Sequence, residues 1–194
     1  MITSGYQAKA RRGCFIAVVG PSGAGKDTLM HRASDQAGFA LARRVITKPP
    51  AATGEAFESV SKHEFIRRRQ ARCFALHWTA HGFDYAISAE IETDLAAGQH
   101  VLANLSRAVL PRLQEVFSPA GIILVTAPPE ILAQRLTQRN RESRAQIESR
   151  LARASFQVDP SLSPVVVENS GDLGDAVTAF IAACHAVIGT RRIK

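Results

Sequence analysis

The chain alternates between short unbroken apolar runs and longer stretches whose apolar positions recur every three or four residues. CFIAVV (14–19), HVLANL (100–105) and GIILVTA (121–127) are of the first kind, the pattern of parallel strands buried on both faces. DTLMHRASDQ (27–36) predicts a helix ended near Gly38. ARRVIT (42–47) predicts a strand stopped by Pro49 and Pro50. In SKHEFIRRRQ (61–70), Ser61 followed by Glu64 is a capping-box start for a helix. FALHW (74–78) and FDYAI (83–87) flank His81-Gly82 as an antiparallel pair, and residues 88–97 read as a helix ending at Gly98. PPEILAQRLTQRN (128–140) opens a helix on prolines, and SRAQIESRLARASFQV (143–158) continues as a charged one. SPVVVEN (163–169) predicts a last strand. GDLGDAVTAFIAACHAVIG (171–189) closes the chain as an amphipathic helix with Val177, Phe180, Ile181 and Cys184 at helical spacing.

Strands alternating with helices predict an α/β fold, a central parallel sheet flanked by helices. The FALHW and FDYAI pair interrupts that alternation and predicts a small β-rich lobe at about 42–88. The arginine-dense interval at about 135–153 predicts a lid. Residues 1–12 read as a basic leader, 13–188 as one domain and 189–194 as a basic tail. A length of 194 residues suits one domain, and 46% hydrophobic residues supply its core.

The 24 lysines and arginines against 17 acids leave a net charge of +7, which points to anionic partners. The basic residues have no interleaved aromatic platform, so nucleic acid is not the expected partner. Cys14, Cys73 and Cys184 form no CxxC pair. Neither a disulfide framework nor a zinc site is indicated, and the expected location is the reducing cytoplasm. CFIAVV is too short for a signal-peptide core, and no other stretch is expected to reach bilayer length. Oligomeric state is not legible.

The candidate chemistry begins at GPSGAGKDT (20–28). Gly20 to Lys26 satisfies GxxxxGK between a buried strand and a helix, the context of a phosphate-binding loop. Gly20, Gly23 and Gly25, with Pro21, Ser22 and Ala24 between them, allow turns that aim N–H groups at phosphate oxygens. The helix N-terminus adds positive dipole, and Lys26 reaches the β- and γ-phosphates. Asp27 is the departure, since a Ser or Thr usually places its hydroxyl on Mg²⁺ there. A carboxylate is a hard Mg²⁺ ligand but repels phosphate unless the metal lies between them. It is equally an acid favoured by the helix dipole, and the two readings are compatible. Thr28 still offers a hydroxyl to a phosphate. HVLANL ends in Asn104, with Ser106 and Arg107 beyond and no acid in reach. The expectation is that the metal's carboxylate has moved from that strand end into the loop, at Asp27.

With these pieces the chain resembles the guanylate kinase group, over residues 14 to 175. The resemblance is carried by GPSGAGKDT, VITKPPAATGE, FALHWTAHGFDYAI, RLTQRNRES with RLARA, and VENSGDL. Within the group, GKDT and ANLSRA (103–108) are similar to the ribose 1,5-bisphosphate phosphokinase family. That resemblance implies a P-loop nucleotide-kinase fold. It also implies transfer of phosphate from ATP to ribose 1,5-bisphosphate with Mg²⁺, giving 5-phosphoribosyl 1-diphosphate, as in phosphonate breakdown. Arg44 and Lys48 match the positions that hold the acceptor phosphate, with Lys48 in place of a more usual arginine. Tyr85 matches a phosphate-touching tyrosine or is a core aromatic. Glu55 follows Gly54 and hydrogen-bonds ribose hydroxyls or is an exposed loop acid, and Arg107 is a further acceptor candidate. Arg135, Arg139 and Arg150 match lid arginines that stabilise the transferring phosphoryl group; Arg141 is open between that role and a solvated face. Arg67, Arg68 and Arg69 point different ways round their helix and read as structural. Guanylate kinases carry an acid before the tryptophan of the segment matching FALHW, where this chain has His77. That is expected to leave guanine donors unpaired, at about 1–3 kcal/mol. The alternatives are a nucleoside monophosphate kinase with divergent base reading and a non-catalytic binding module of the same fold.

Overall fold

The structure is a computed structural model that describes residues 11–49, 57–138 and 157–191. In chain order the elements are β1 (Phe15–Val19), α1 (Lys26–Ala37), β2 (Ala40–Leu41), β3 (Arg44–Ile46), β4 (Phe57–Ser59) and α2 (Lys62–Gln70). The hairpin β5 (Phe74–Ala80) and β6 (Phe83–Ser88), α3 (Ile91–Ala96) and β7 (Val101–Asn104) follow. A 3-10 turn (Arg107–Arg112) leads into α4 (Leu113–Val116), β8 (Ala120–Thr126) and α5 (Pro129–Gln138). A second 3-10 turn (Pro160–Leu162) precedes β9 (Val165–Glu168) and α6 (Leu173–Arg191).

All five residues of β1 are buried, and the strand has parallel neighbours on both sides, β7 and β8. The full sheet runs β2-β7-β1-β8-β9, every pairing parallel. Alternation along β1 splits the core. Ile16 and Val18 pack with Leu29, Met30 and Ala33 of α1 and with Val177, Phe180 and Cys184 of α6. Phe15, Ala17 and Val19 face Leu76, Trp78 and Ile87 of the hairpin with Val109, Leu110 and Leu113. The loop between β1 and α1 therefore opens at the carboxyl edge of the sheet, between diverging neighbours, where α/β folds place ligands.

A second sheet runs β4-β3-β6-β5 and is the expected small lobe. Its hairpin turns on His81 (φ 53°) and Gly82 (φ 79°), two positive angles that match the twist of the flanking strands. Ser61 caps α2 as expected, its hydroxyl accepting from the Glu64 N–H at 3.1 Å.

Several expectations change. The strand expected over 42–47 is β3, which pairs with β4 and β6 in the small sheet; the two residues of β2 just before it, paired with β7 in the large sheet, were not expected. The helix expected over 88–97 is shorter, because Glu92 and Thr93 N–H groups bond the carbonyls of Ala89 and Glu90 as its first turn. Arg12, placed in the leader, is ion-paired with Glu92, and the Gly13 N–H bonds the Leu95 carbonyl at 2.7 Å. The closing helix continues to Arg191, into the expected tail. Within it, Leu173–Thr190 has a mean hydropathy of 1.5 and is long and apolar enough to cross a membrane, contrary to expectation. Its apolar face is built into the core beside α1 through Val177, Phe180, Cys184 and Val187. The lid interval lies outside the described residues beyond Gln138.

Candidate active site

Gly20 leaves β1 at φ +150°, where a Cβ would stand 2.0 Å from the Val125 carbonyl oxygen of β8. Only glycine lets the loop start so close to the neighbouring strand. The loop then wraps a polar pocket. Ser22, Gly23, Gly25 and Lys26 line it, with Asp27 and Thr28 from the first turn of α1 and Asn104 from the end of β7. Pro21 and Ala24 complete the turn, the Ala24 N–H bonding the Pro21 carbonyl at 3.3 Å. Lys26 Nζ donates to the carbonyls of Gly20 and Pro21, each at 2.9 Å. This folds the ammonium over the loop, beside the N–H groups that a phosphate would meet.

Asp27 belongs to the same pocket. Its Oδ1 accepts a 2.8 Å hydrogen bond from Asn104 Nδ2, so the strand end that lacks an acid supplies an amide to the loop's acid. Hard oxygen donors (the Asp27 carboxylate and the Ser22 and Thr28 hydroxyls) ring the pocket, the chemistry that suits Mg²⁺. Among the described residues no three His, Cys, Asp or Glu side chains gather to cage a metal.

Arg135, in the last turn of α5, is half-buried. Among the described residues its Nη1 is buried with no hydrogen-bond partner, and it lies 4.0 Å from where a Cβ on Gly25 would sit. A cationic donor left unpaired beside a phosphate loop calls for an anion. Asn169, just after β9, is 4% exposed. Its Nδ2 donates to the Ala24 carbonyl and its N–H to the Thr126 carbonyl, both at 2.8 Å.

The small lobe is ordered by register. Trp78 pairs with Tyr85, Leu76 with Ile87, Ile46 with Tyr85 and Arg44 with Ile87; cross-strand partners share a face. Arg44, Tyr85, Leu76 and Trp78 therefore lie on one side of the sheet, the side whose Leu76, Trp78 and Tyr85 pack in the β1 cluster. Trp78 and Tyr85 stack, with ring centroids 5.3 Å apart, and the Trp78 indole donates to Ser106 Oγ at 2.9 Å. Arg107 follows at the exposed start of the 3-10 turn. Lys48 lies past β3, its carbonyl accepting from Ser59 Oγ at 2.7 Å.

His77 lies away from that face. It pairs with Ala86, on the face where Val45 and Ala86 pack with Phe65 of α2. Burial, with Arg69 and Arg112 adding to it, pushes the imidazole pKa down. His77 is thus on the opposite face from Arg44 and Tyr85, and the residue beside them is Leu76, 1% exposed. Arg67 and Arg68 are structural as expected, bound to Glu64 and Glu58. Glu55, Arg139, Arg141 and Arg150 lie outside the described residues.

Sequence comparison decides the family. The chain is 47% identical over 189 residues to the ribose 1,5-bisphosphate phosphokinase of a Ruegeria species, covering 93% of this chain and 94% of that one. It is 40% identical over 185 residues to the enzyme of the same name from Brucella melitensis, covering 93% and 96%. The chain belongs to the ribose 1,5-bisphosphate phosphokinase family. No protein-family model matches it. Among solved structures, guanylate kinase from Anaplasma phagocytophilum superposes with a TM-score of 0.63 over 95% of this chain and 88% of that one, at 15% identity. At that identity the likeness speaks for the fold, a guanylate-kinase-like P-loop kinase.

Within this family member, two site residues escaped the sequence reading in their roles. In the sequence Asn104 reads only as a strand end without an acid, and Asn169 only as part of VENSGDL. Both act through partners far along the chain, and their one local signal is an asparagine at or just past a strand's carboxyl end.

Proposed function

We propose that this protein transfers the γ-phosphoryl group of ATP to the 1-phosphate of ribose 1,5-bisphosphate, giving ADP and 5-phosphoribosyl 1-diphosphate. Relatives of that name at 40–47% identity support the reading. The observation that carries the choice of acceptor is the composition of one sheet face. Arg44 and Tyr85 share it with Leu76, Trp78, Ile46 and Ile87. The carboxylates and the imidazole of those strands (Glu58, Asp84 and His77) all fall on the other side. A base would leave its ring N–H donors unpaired there, at about 1–3 kcal/mol each. A sugar phosphate needs only cations and hydroxyls.

The chemistry asks little covalent help. An oxygen of the acceptor's 1-phosphate, already ionised near neutral pH, forms a bond to the γ-phosphorus. The bond from that phosphorus to the β–γ bridging oxygen breaks, and ADP leaves with the electron pair; no general base is needed. The difficulty is bringing two polyanions together. Backbone N–H groups of Gly20 to Thr28 hold the donor phosphates, and Lys26 exchanges its loop carbonyls for β- and γ-oxygens. Arg135, with Arg139 and Arg150, stabilises charge on the transferring group. Arg44, Lys48, Tyr85 and Arg107 hold the acceptor phosphates, and Glu55 the ribose hydroxyls. Mg²⁺ would be held by Asp27 with the hydroxyls beside it and would supply neutralising charge to the donor phosphates.

The test compares ADP formation from Mg-ATP with ribose 1,5-bisphosphate and with GMP as acceptors. Turnover with the bisphosphate and none above background with GMP is expected. Robust GMP turnover would return the chain to the nucleoside monophosphate kinases.

A further inference from the structure

Asn104 occupies an unusual electrostatic place. It ends β7 opposite Val18 of β1, so its side chain leaves the sheet at the edge where the phosphate loop opens. Its amide nitrogen reaches Asp27 Oδ1 at 2.8 Å, and both residues line the loop's pocket. A carboxylate at the first turn of α1 has rotamers that swing it toward the phosphates or away. A neutral N–H donor on one oxygen fixes that choice and leaves the other oxygen's lone pairs for a cation. An arginine or lysine in this position would neutralise Asp27 and compete with the metal. A second carboxylate would repel it. Among uncharged side chains, asparagine here has the reach and the donor without the charge.

We infer that Asn104 is a positioning residue for the metal carboxylate, holding Asp27 in the orientation that meets the nucleotide-bound cation. The inference rests on the reading of Asp27 as that cation's protein ligand. It requires the effect of Asn104 on metal binding to pass through Asp27 and nowhere else. The hydrogen bond joins a strand of the sheet to the helix that follows the loop, so it places the carboxylate without touching the loop's own N–H groups. Metal-free nucleotide binding should then be indifferent to Asn104.

The experiment is Mn²⁺ titration of the ADP complex by electron paramagnetic resonance, with metal-free ADP affinity measured in parallel. The proteins are the parent, Asp27→Asn, Asn104→Ala, Asn104→Ser and the Asp27→Asn/Asn104→Ala double variant. The serine variant, too short to span to Asp27, accompanies the alanine so that a folding defect in one does not decide the outcome. Either Asn104 variant should weaken Mn²⁺ binding by about 10- to 100-fold, the range for groups that orient a ligand, with ADP affinity unchanged. In the Asp27→Asn background, loss of the Asn104 amide should add nothing. Parent-like Mn²⁺ affinity in both Asn104 variants, or an undiminished effect in the Asp27→Asn background, would overturn the inference while leaving Asp27 its role. Parent-like affinity in Asp27→Asn itself would remove the reading beneath it.

Discussion

Asn169 Nδ2 bonds the Ala24 carbonyl at 2.8 Å, fastening the segment after β9 to the crown of the phosphate loop. Because Asn169 is buried, Asn169→Ala strips a desolvated carbonyl of its donor at a cost of about 1–3 kcal/mol. For a domain of this size that lowers Tm by about 2–12 °C, and the loosened loop raises KM for ATP. Asn169→Asp should be worse than alanine, since it sets an acceptor against an acceptor. Thermal melts with ATP titrations check both.

Gly25 sits under the same amide. At φ +86° a Cβ there would stand 2.4 Å from Asn169 Nδ2. The left-handed conformation alone costs a non-glycine residue about 1–2 kcal/mol. Gly25→Ala should therefore weaken ATP binding by more than about tenfold, with the far-ultraviolet circular dichroism of the parent retained. Parent-like ATP affinity would show that the loop tolerates the methyl group.

Arg135 separates catalysis from stability. Among the described residues its Nη1 is buried and unpaired, so Arg135→Ala removes a desolvated donor rather than a bond to any of them. Tm should stay level or rise while kcat falls by about 10²–10³, the scale for one charge-stabilising donor. Arg135→Lys should not restore the rate, because an ammonium lacks the planar fork. A fall in Tm with kcat intact would mean that Arg135 is structural.

Glu64 gives α2 a pH signature. Bonds from Arg67 and Arg68, all at 2.7 Å, hold its carboxyl down from 4.5 to about 2. A depressed carboxylate contributes stability that is fully present above its ordinary pKa and lost as pH falls through the folded value. Glu64→Gln should flatten the dependence of Tm on pH between about 4.5 and 2 and leave the neutral-pH slope unchanged. An unaltered acid slope would contradict this.

Thiol chemistry tests the core. Cys14 and Cys184 are buried and Cys73 is exposed, and burial pushes the Cys184 thiol up to about 12. Native protein should titrate one thiol with a disulfide reagent, and denatured protein all three. Rapid native labelling of Cys184 would mean that α6 opens from the sheet.

Local signals were legible in the sequence and distant ones were not. The β1 run, the glycine loop and the Ser61 cap are written within a few residues of themselves, and each stands where expected. ARRVIT does hold one strand, at Arg44–Ile46, but nothing local says that Ala40 and Leu41 before it pair with Val101 and Leu102 in the other sheet. Residues 107–116 place Val109, Leu113 and Val116 at helical spacing, but Pro111 in their midst reads as a helix breaker and hides the two short helices. His77 matches the position of a guanine-reading acid in the sequence, and only the register of β5 on β6, with its irregularity between Phe74 and Leu76, shows which side each residue takes. Asn104 and Asn169 find their partners 77 and 145 positions away. Those distances hide an asparagine's purpose until the chain is folded.

The central claim concerns which oxygen receives the phosphoryl group, and phosphorus NMR reads it directly. With Mg-ATP and ribose 1,5-bisphosphate, the 1-phosphate resonance should give way to the two coupled doublets of a diphosphate, with the 5-phosphate signal unmoved and ADP formed in equal amount. A 1-phosphate that persists while ATP is consumed, or a diphosphate arising at the 5-position, would contradict it.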